Sequence, residues 1–156
     1  MAKSYLGQTA YPRGIRNNNP ANLRLTSEDW QGKVPNAQNT DGSFEQFYEL
    51  RYGIRAMMRN IITQVSRGHN TIFSLINVLS PSFENHTEAY IKAVVQAVGL
   101  APLGIIDLTE ETMISLCKII ATMENGENYA KQLIKDSDYR DAIAILGKPL
   151  KKKKLQ

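Results

Sequence analysis

The chain has 156 residues, 42% of them hydrophobic and 22% charged, which suits one soluble domain with a sizeable core. Its net charge of +4 is concentrated in the closing KPLKKKKLQ, so the remainder is near neutral and lacks the basic, aromatic-interleaved stripe of a nucleic-acid reader. A single cysteine, Cys117, excludes an internal disulfide, and His69 and His86 have no metal-ligand spacing, so neither a metal nor another cofactor is expected.

The opening MAKSYLGQTAYP lacks the apolar run of a signal peptide, and no later stretch is long enough to span a membrane. Synthesis in the (host) cytoplasm without a leader is the expectation, with residues 1–12 a flexible arm. RGIRNNNPANLRL follows, rich in Asn and carrying a Pro, which argues against a regular helix and for turns. Asn17, Asn18, Asn19 and Asn22 either form an exposed loop or line a cleft with amide donors and acceptors for a hydroxyl- and amide-rich ligand. Trp30, Gly32, Val34 and the Asp41-Gly42 turn suggest a short hairpin or β-like lobe ending at Phe44 and Phe47. Trp30, the only tryptophan, either packs or stacks on a sugar face.

From Leu50 onward the pattern is helical. Ile54, Met57, Met58, Ile61, Ile62 and Val65 form one apolar stripe ending near Gly68. Thr71 caps a short helix carrying Ile72, Leu75, Ile76 and Leu79, stopped by Ser80-Pro81. In SFENHTEAYIKAVVQAVG, Tyr90, Ile91, Val94, Val95 and Val98 form the next stripe, capped by Asn85 or Thr87 and ended by Gly99. Residues 109–126 then read as a helix capped by Thr109, with Met113, Leu116, Cys117, Ile120 and Ala121 on its buried face. The next place on that face is Glu124, in the last turn before Gly126. Desolvation and the negative helix end both disfavour its ionised form, so a raised pKa suited to a general acid is expected. A solvated Glu before a Gly cap is the competing reading. One or two shorter helices follow, near residues 129–134 and 139–146. The fold class is therefore mainly α (α+β): a helical domain over residues 13–147 with a small β or irregular lobe, then a basic tail over 148–156.

Four blocks, RGIRNNNPANLR, DGSFEQFYELRYGIRAMM, TIFSLINVLSPSFENHTEAYIKAV and IATMENG, together resemble a family of phage virion-associated peptidoglycan-degrading proteins. They are also similar to the lysozyme-like lytic transglycosylases, in rotated order. In that superfamily the Glu-bearing helix comes first, whereas here it lies near the C-terminus, as a circular permutation would place it. The resemblance implies a lysozyme-like fold and makes Glu124 the acid. It sets Asn17, Asn18, Asn19 and Asn22 in the turn, and Glu84, Thr87, Tyr90 and Ile91 in the segment that follows the short helix. Ala21 stands where a Gly is expected, and LSPSFENHT lacks the expected aromatic-Ala-Pro-Pro, so loop geometry departs from the pattern.

The implied reaction is cleavage of the β-1,4 bond between N-acetylmuramic acid and N-acetylglucosamine in peptidoglycan glycan strands. Glu124 protonates the glycosidic oxygen and then, acting alone, takes the proton of the muramyl 6-hydroxyl to give an anhydro product; a second carboxylate holding water gives hydrolysis instead. Asp41 is the best second carboxylate, with Asp29 and Glu45 weaker. Asn17, Asn18, Asn19, Asn22, Trp30, Glu84, Asn85, Thr87 and Tyr90 are the candidate substrate contacts, with helix capping and core packing the competing roles for Thr87 and Tyr90. The expected place of action is the bacterial wall, as a virion component beside other virion proteins. The rival reading is a non-catalytic virion or wall-binding protein of the same fold. A weaker third is nucleic-acid association through the lysine tail.

Overall fold

The computed structural model describes residues 2–79 and 87–152. Among them the chain is mainly helical, with seven α-helices: α1 Arg13–Arg16, α2 Leu50–Ser66, α3 Ile72–Leu79, α4 Thr87–Val98, α5 Glu110–Asn125, α6 Glu127–Leu133 and α7 Asp136–Ala144. No helix is long and apolar enough to cross a membrane among the described residues. Two compact units emerge, neither continuous in sequence: Met1–Met57 with Ile120–Gly147, and Met58–Ile119 with Lys148–Gln156.

The first unit carries the Asn-rich turn. Against the sequence expectation, Arg13–Arg16 closes one helical turn, with the Arg16 amide donating to Pro12 O at 2.9 Å and the Asn17 amide to Arg13 O at 3.2 Å. Pro12 precedes it, where its fixed φ is compatible with helix entry, and Pro20 lies far enough downstream to leave this turn intact. The lobe that follows is irregular. Arg24 pairs with Phe44 and Lys33 with Phe47 as isolated antiparallel bridges, and a 3-10 turn spans Asn36–Gln38. Val34 and Phe47 turn inward, and Ile15, Leu50, Ile54, Ile120, Ala121, Ile134, Tyr139 and Leu146 are likewise buried in this unit.

Residues 1–12, expected to be a flexible arm, are tied to this unit over most of their length. Lys3 O accepts from the Leu50 amide at 2.9 Å, and Lys3 Nζ lies 2.8 Å from Asp138 Oδ2. The Tyr5 amide donates to Asn18 Oδ1 at 2.8 Å and its hydroxyl to Leu133 O at 2.7 Å, while Tyr11 meets the rings of Tyr5 and Tyr129 edge-on. A segment with this many tertiary bonds is ordered by them.

In the second unit α3 packs on α4. Ile72, Leu75, Ile76, Tyr90, Val94, Met113, Leu116 and Cys117 are buried there, the positions that helical spacing assigned to inward faces. Thr71 caps α3 by accepting the Ser74 amide at 3.1 Å, and Thr109 caps α5 by accepting the Thr112 amide at 3.2 Å, both as expected. Burial pushes the Cys117 thiol far above its ordinary pKa, which leaves it inert. The basic tail begins in an ordered pairing: the Lys151 amide donates to Leu108 O at 2.8 Å, and Lys151 Nζ lies 3.0 Å from Asp107 Oδ1.

Candidate functional site

Glu124 stands in the last turn of α5, which is closed by Gly126 at φ 91°, a left-handed value that an L side chain resists. Its carboxyl is half-buried. Asn22 Nδ2 donates to Oε1 at 3.2 Å, and Oε2 is shielded from solvent with no hydrogen-bond partner among the described residues. Burial pushes its pKa up to about 7, with the Asn22 amide a smaller opposing influence. A carboxyl at that value holds its proton for a large part of the time near neutrality and can also lose it.

The residue beside it anchors the helix end. Asn125 Nδ2 donates to Pro20 O at 2.9 Å and to Ala121 O at 3.0 Å, so α5 terminates against the Asn-rich turn. Asn22 itself has φ 51°, the left-handed region that Asn tolerates better than most residues. The left-handed positions of this turn fall on Asn18 and Asn22, and Ala21, where a Gly was expected, does not need positive φ. Gly14 of α1 completes the group. A Cβ there would run into Asn125 Oδ1 and come within 3.0 Å of both Asn19 O and Asn22 Oδ1, so only glycine lets α1 lie this close. Gly14 and Asn125 were not singled out from sequence, although both sit inside blocks that carry the resemblance.

Three shielded oxygens in this group lack a donor among the described residues: Glu124 Oε2, Asn22 Oδ1 and Asn125 Oδ1. Buried acceptors seek donors. A proton on Glu124 would supply one inside the group.

The other asparagines do different work. Asn18 sends Nδ2 to Ser4 Oγ and Phe47 O, both at 2.8 Å, and Asn19 sends Nδ2 to Leu23 O and Glu45 O, both at 3.0 Å. Each is fully buried with both amide hydrogens committed inside the protein, so these two hold the lobe together and have none left for a ligand. Asn18 and Asn19 are thus neither an exposed loop nor a cleft lining. Asn17, also buried, donates to Asp41 Oδ2 at 3.0 Å and accepts from Gln46 Nε2 at 3.0 Å.

Asp41 is not free to hold a water. Its Oδ2 accepts Arg13 Nε at 2.8 Å and Asn17 Nδ2, and its Oδ1 accepts Arg13 Nη2 at 2.8 Å, the Ser43 amide at 3.1 Å and the Phe44 amide at 2.9 Å. Five donors on roughly four lone-pair positions leave no acceptor to spare. The Arg13 guanidinium above all, then Asn17 and the turn amides, hold its carboxyl well below the usual range against the opposing effect of burial. Glu45, fully buried, is paired with Lys33 Nζ at 3.0 Å, and Asp29 is exposed. Among the described candidates for a second carboxylate, the two inside the lobe are structural.

Trp30 is half-buried in the lobe and is not one of the residues bonded to Glu124 or Asn22. Thr87 opens α4 and Tyr90 is buried in the second unit, in keeping with a core role for the ring. Glu84 and Asn85 lie outside the described residues. No cluster of His, Cys, Asp and Glu suited to a metal ion occurs among the described residues.

No protein-family profile matches the chain. It is similar to Protein P5 of Pseudoalteromonas phage PM2, 35% identical over 120 residues that cover 74% of this chain and 72% of that protein. At that identity and coverage, the chain belongs to the phage protein family of Protein P5.

Proposed function

We propose that this phage protein is a peptidoglycan-degrading glycosidase, with Glu124 as the general acid and base acting on the β-1,4 bond between N-acetylmuramic acid and N-acetylglucosamine. The observation that carries the reading is the Glu124 carboxyl itself: shielded on one oxygen, bound by one amide, paired with no cation among the described residues, and with its pKa pushed by burial up to about 7. That is the state needed to protonate a leaving glycosidic oxygen. The lysozyme-like architecture and its permutation belong to the same proposal, supported by the order of the sequence blocks.

Asp41 and Glu45 are both committed, which favours a single-carboxyl route. Glu124 gives its proton to the departing oxygen as the C1–O bond breaks. The resulting carboxylate then takes the proton of the muramyl 6-hydroxyl, whose oxygen closes on C1. Bond and proton counts balance without water, and the product is a 1,6-anhydro end. The site of action would be the bacterial wall, reached in the virion.

Digestion of purified peptidoglycan followed by mass analysis tests this. Anhydro-muramyl ends are expected. New reducing ends would replace the single-carboxyl route with hydrolysis, and the absence of any released fragment would leave a wall-binding virion component.

A further inference from the structure

The single turn of α1 serves two places in the first unit. Gly14 lies against the Asn22 and Asn125 side chains that surround Glu124. Arg13, Arg16 and Asn17, spaced i, i+3 and i+4 on another face of that turn, line a separate polar cavity of about 260 Å³. Thr9 and Thr40 bring hydroxyls to its wall, and Asp41 and Gln46 complete it.

The charge of this cavity is decided by Arg16. Arg13 and Asp41 neutralise one another in a two-point ion pair, and Asn17 and Gln46 are bonded together at 3.0 Å. Arg16 is half-buried, and its guanidinium has no hydrogen bond or ion pair among the described residues. Thr9 is exposed, with no side-chain bond of its own among them. What remains is one planar five-donor cation beside a hydroxyl, held by a framework whose other charges are already satisfied. Guanidinium geometry matches a carboxylate through two parallel bonds.

We propose that the Arg16 cavity is a carboxylate subsite that receives the acidic peptide stem carried by muramic acid. This rests on the glycosidase reading for the identity of the polymer. A glycan strand offers its acid neutral sugars, whereas its fixed anionic groups lie on the stems. A helix turn that touches the Glu124 surroundings with one face and an anion cavity with another can select strands that still carry their peptides. A neutral glycan, with neither stems nor lactyl carboxylates, would lose this hold.

The test is a binding titration that needs no turnover. Muramyl dipeptide, its analogue with the free carboxyl converted to an amide, neutral chitotetraose and inorganic phosphate are each titrated into the whole protein, followed by amide NMR. The dipeptide is expected to move the Thr9, Arg16 and Thr40 signals and to bind more weakly as salt rises. Arg16→Gln should weaken it at least about tenfold, the loss expected for a charge-assisted bond pair. Arg16→Lys, keeping charge without the fork, should fall between. Equal affinity in Arg16→Gln, equal affinity for the amidated analogue, no dipeptide binding, or phosphate binding as well as the dipeptide would each overturn the assignment. A protein that binds the dipeptide through Arg16 yet releases nothing from walls would remove the glycosidase reading alone. One that cleaves walls while Arg16→Gln binds normally would remove the subsite alone.

Discussion

Asp41 and Glu124 are both carboxylates in the first unit, each largely withdrawn from solvent and each touched by an asparagine from the same turn, yet they end in opposite states. Asp41 receives five donors, two of them from a guanidinium, and stays ionised far into acid. Glu124 receives one amide, pairs with no cation among the described residues, and has its pKa pushed by burial up to about 7. Burial acts on both in the same direction; the supply of donors decides the outcome. One carboxyl is thereby made into a fastening and the other into a proton carrier.

The largest effect should come from removing the carrier. Glu124→Gln keeps the shape and the bond from Asn22 but cannot deliver a proton. Fragment release from purified walls should drop by about 10²–10⁴, with the folded state intact by circular dichroism. Undiminished release by that variant would assign the chemistry elsewhere.

Removing the fastening should act on stability instead. Asp41→Asn gives up the charged pair with Arg13 and leaves buried donors on Asn17 and the turn poorly matched, a loss of about 2 kcal/mol measurable by urea unfolding. Because the folded pKa of Asp41 is depressed, its contribution is present above the unfolded value near 4 and disappears as pH falls towards the folded one.

The pH dependence of Glu124 has the opposite sign. Its folded pKa lies above the unfolded one, so the native state binds more protons between about pH 4.5 and 7, and stability declines as pH rises through that window. The full shift corresponds to about 3 kcal/mol, and water on the exposed side of the carboxyl reduces this to about 2. Glu124→Gln should therefore flatten the decline and be more stable than the parent at pH 8. A parallel pair of stability profiles would show that the carboxyl is not held in its neutral form.

The smallest effect should come from the single amide. Asn22→Gly preserves the left-handed backbone while removing the donor that opposes the rise in pKa. The alkaline limb of the pH–activity profile should move upward, with a severalfold fall in rate from lost positioning. No movement would mean that Asn22 only shapes the turn.

Much of the helical frame was legible because stripes at 3.6-residue spacing bury the same residues wherever the helices are placed; α2 and α5 end where Gly68 and Gly126 said they would, while Pro81 lies outside the described residues. Glu124 could be found as the polar interruption of such a stripe. The roles of the asparagines could not. Asn18 and Asn19 look as ligand-ready as Asn22 in sequence, and only their distances to Phe47, Leu23 and Glu45 show that their amides are used up. Asp41 was misjudged for the same reason, since its five donors come from α1 with its cap and from the turn at Ser43 and Phe44, and two of them are backbone amides, which carry no residue signature. The helical turn at Arg13–Arg16 was hidden by the asparagines after it, and Gly14 drew no notice because its function is to be absent as a side chain.

The most direct measurement is the carboxyl of Glu124 itself, observed by ¹³C NMR of selectively labelled glutamate across pH 3 to 9, with Glu124→Gln to assign the signal. A midpoint near 7, well separated from those of the exposed glutamates, is the expected result. A midpoint close to 4 would show an ordinary ionised carboxylate at neutral pH and would contradict its role as the proton donor.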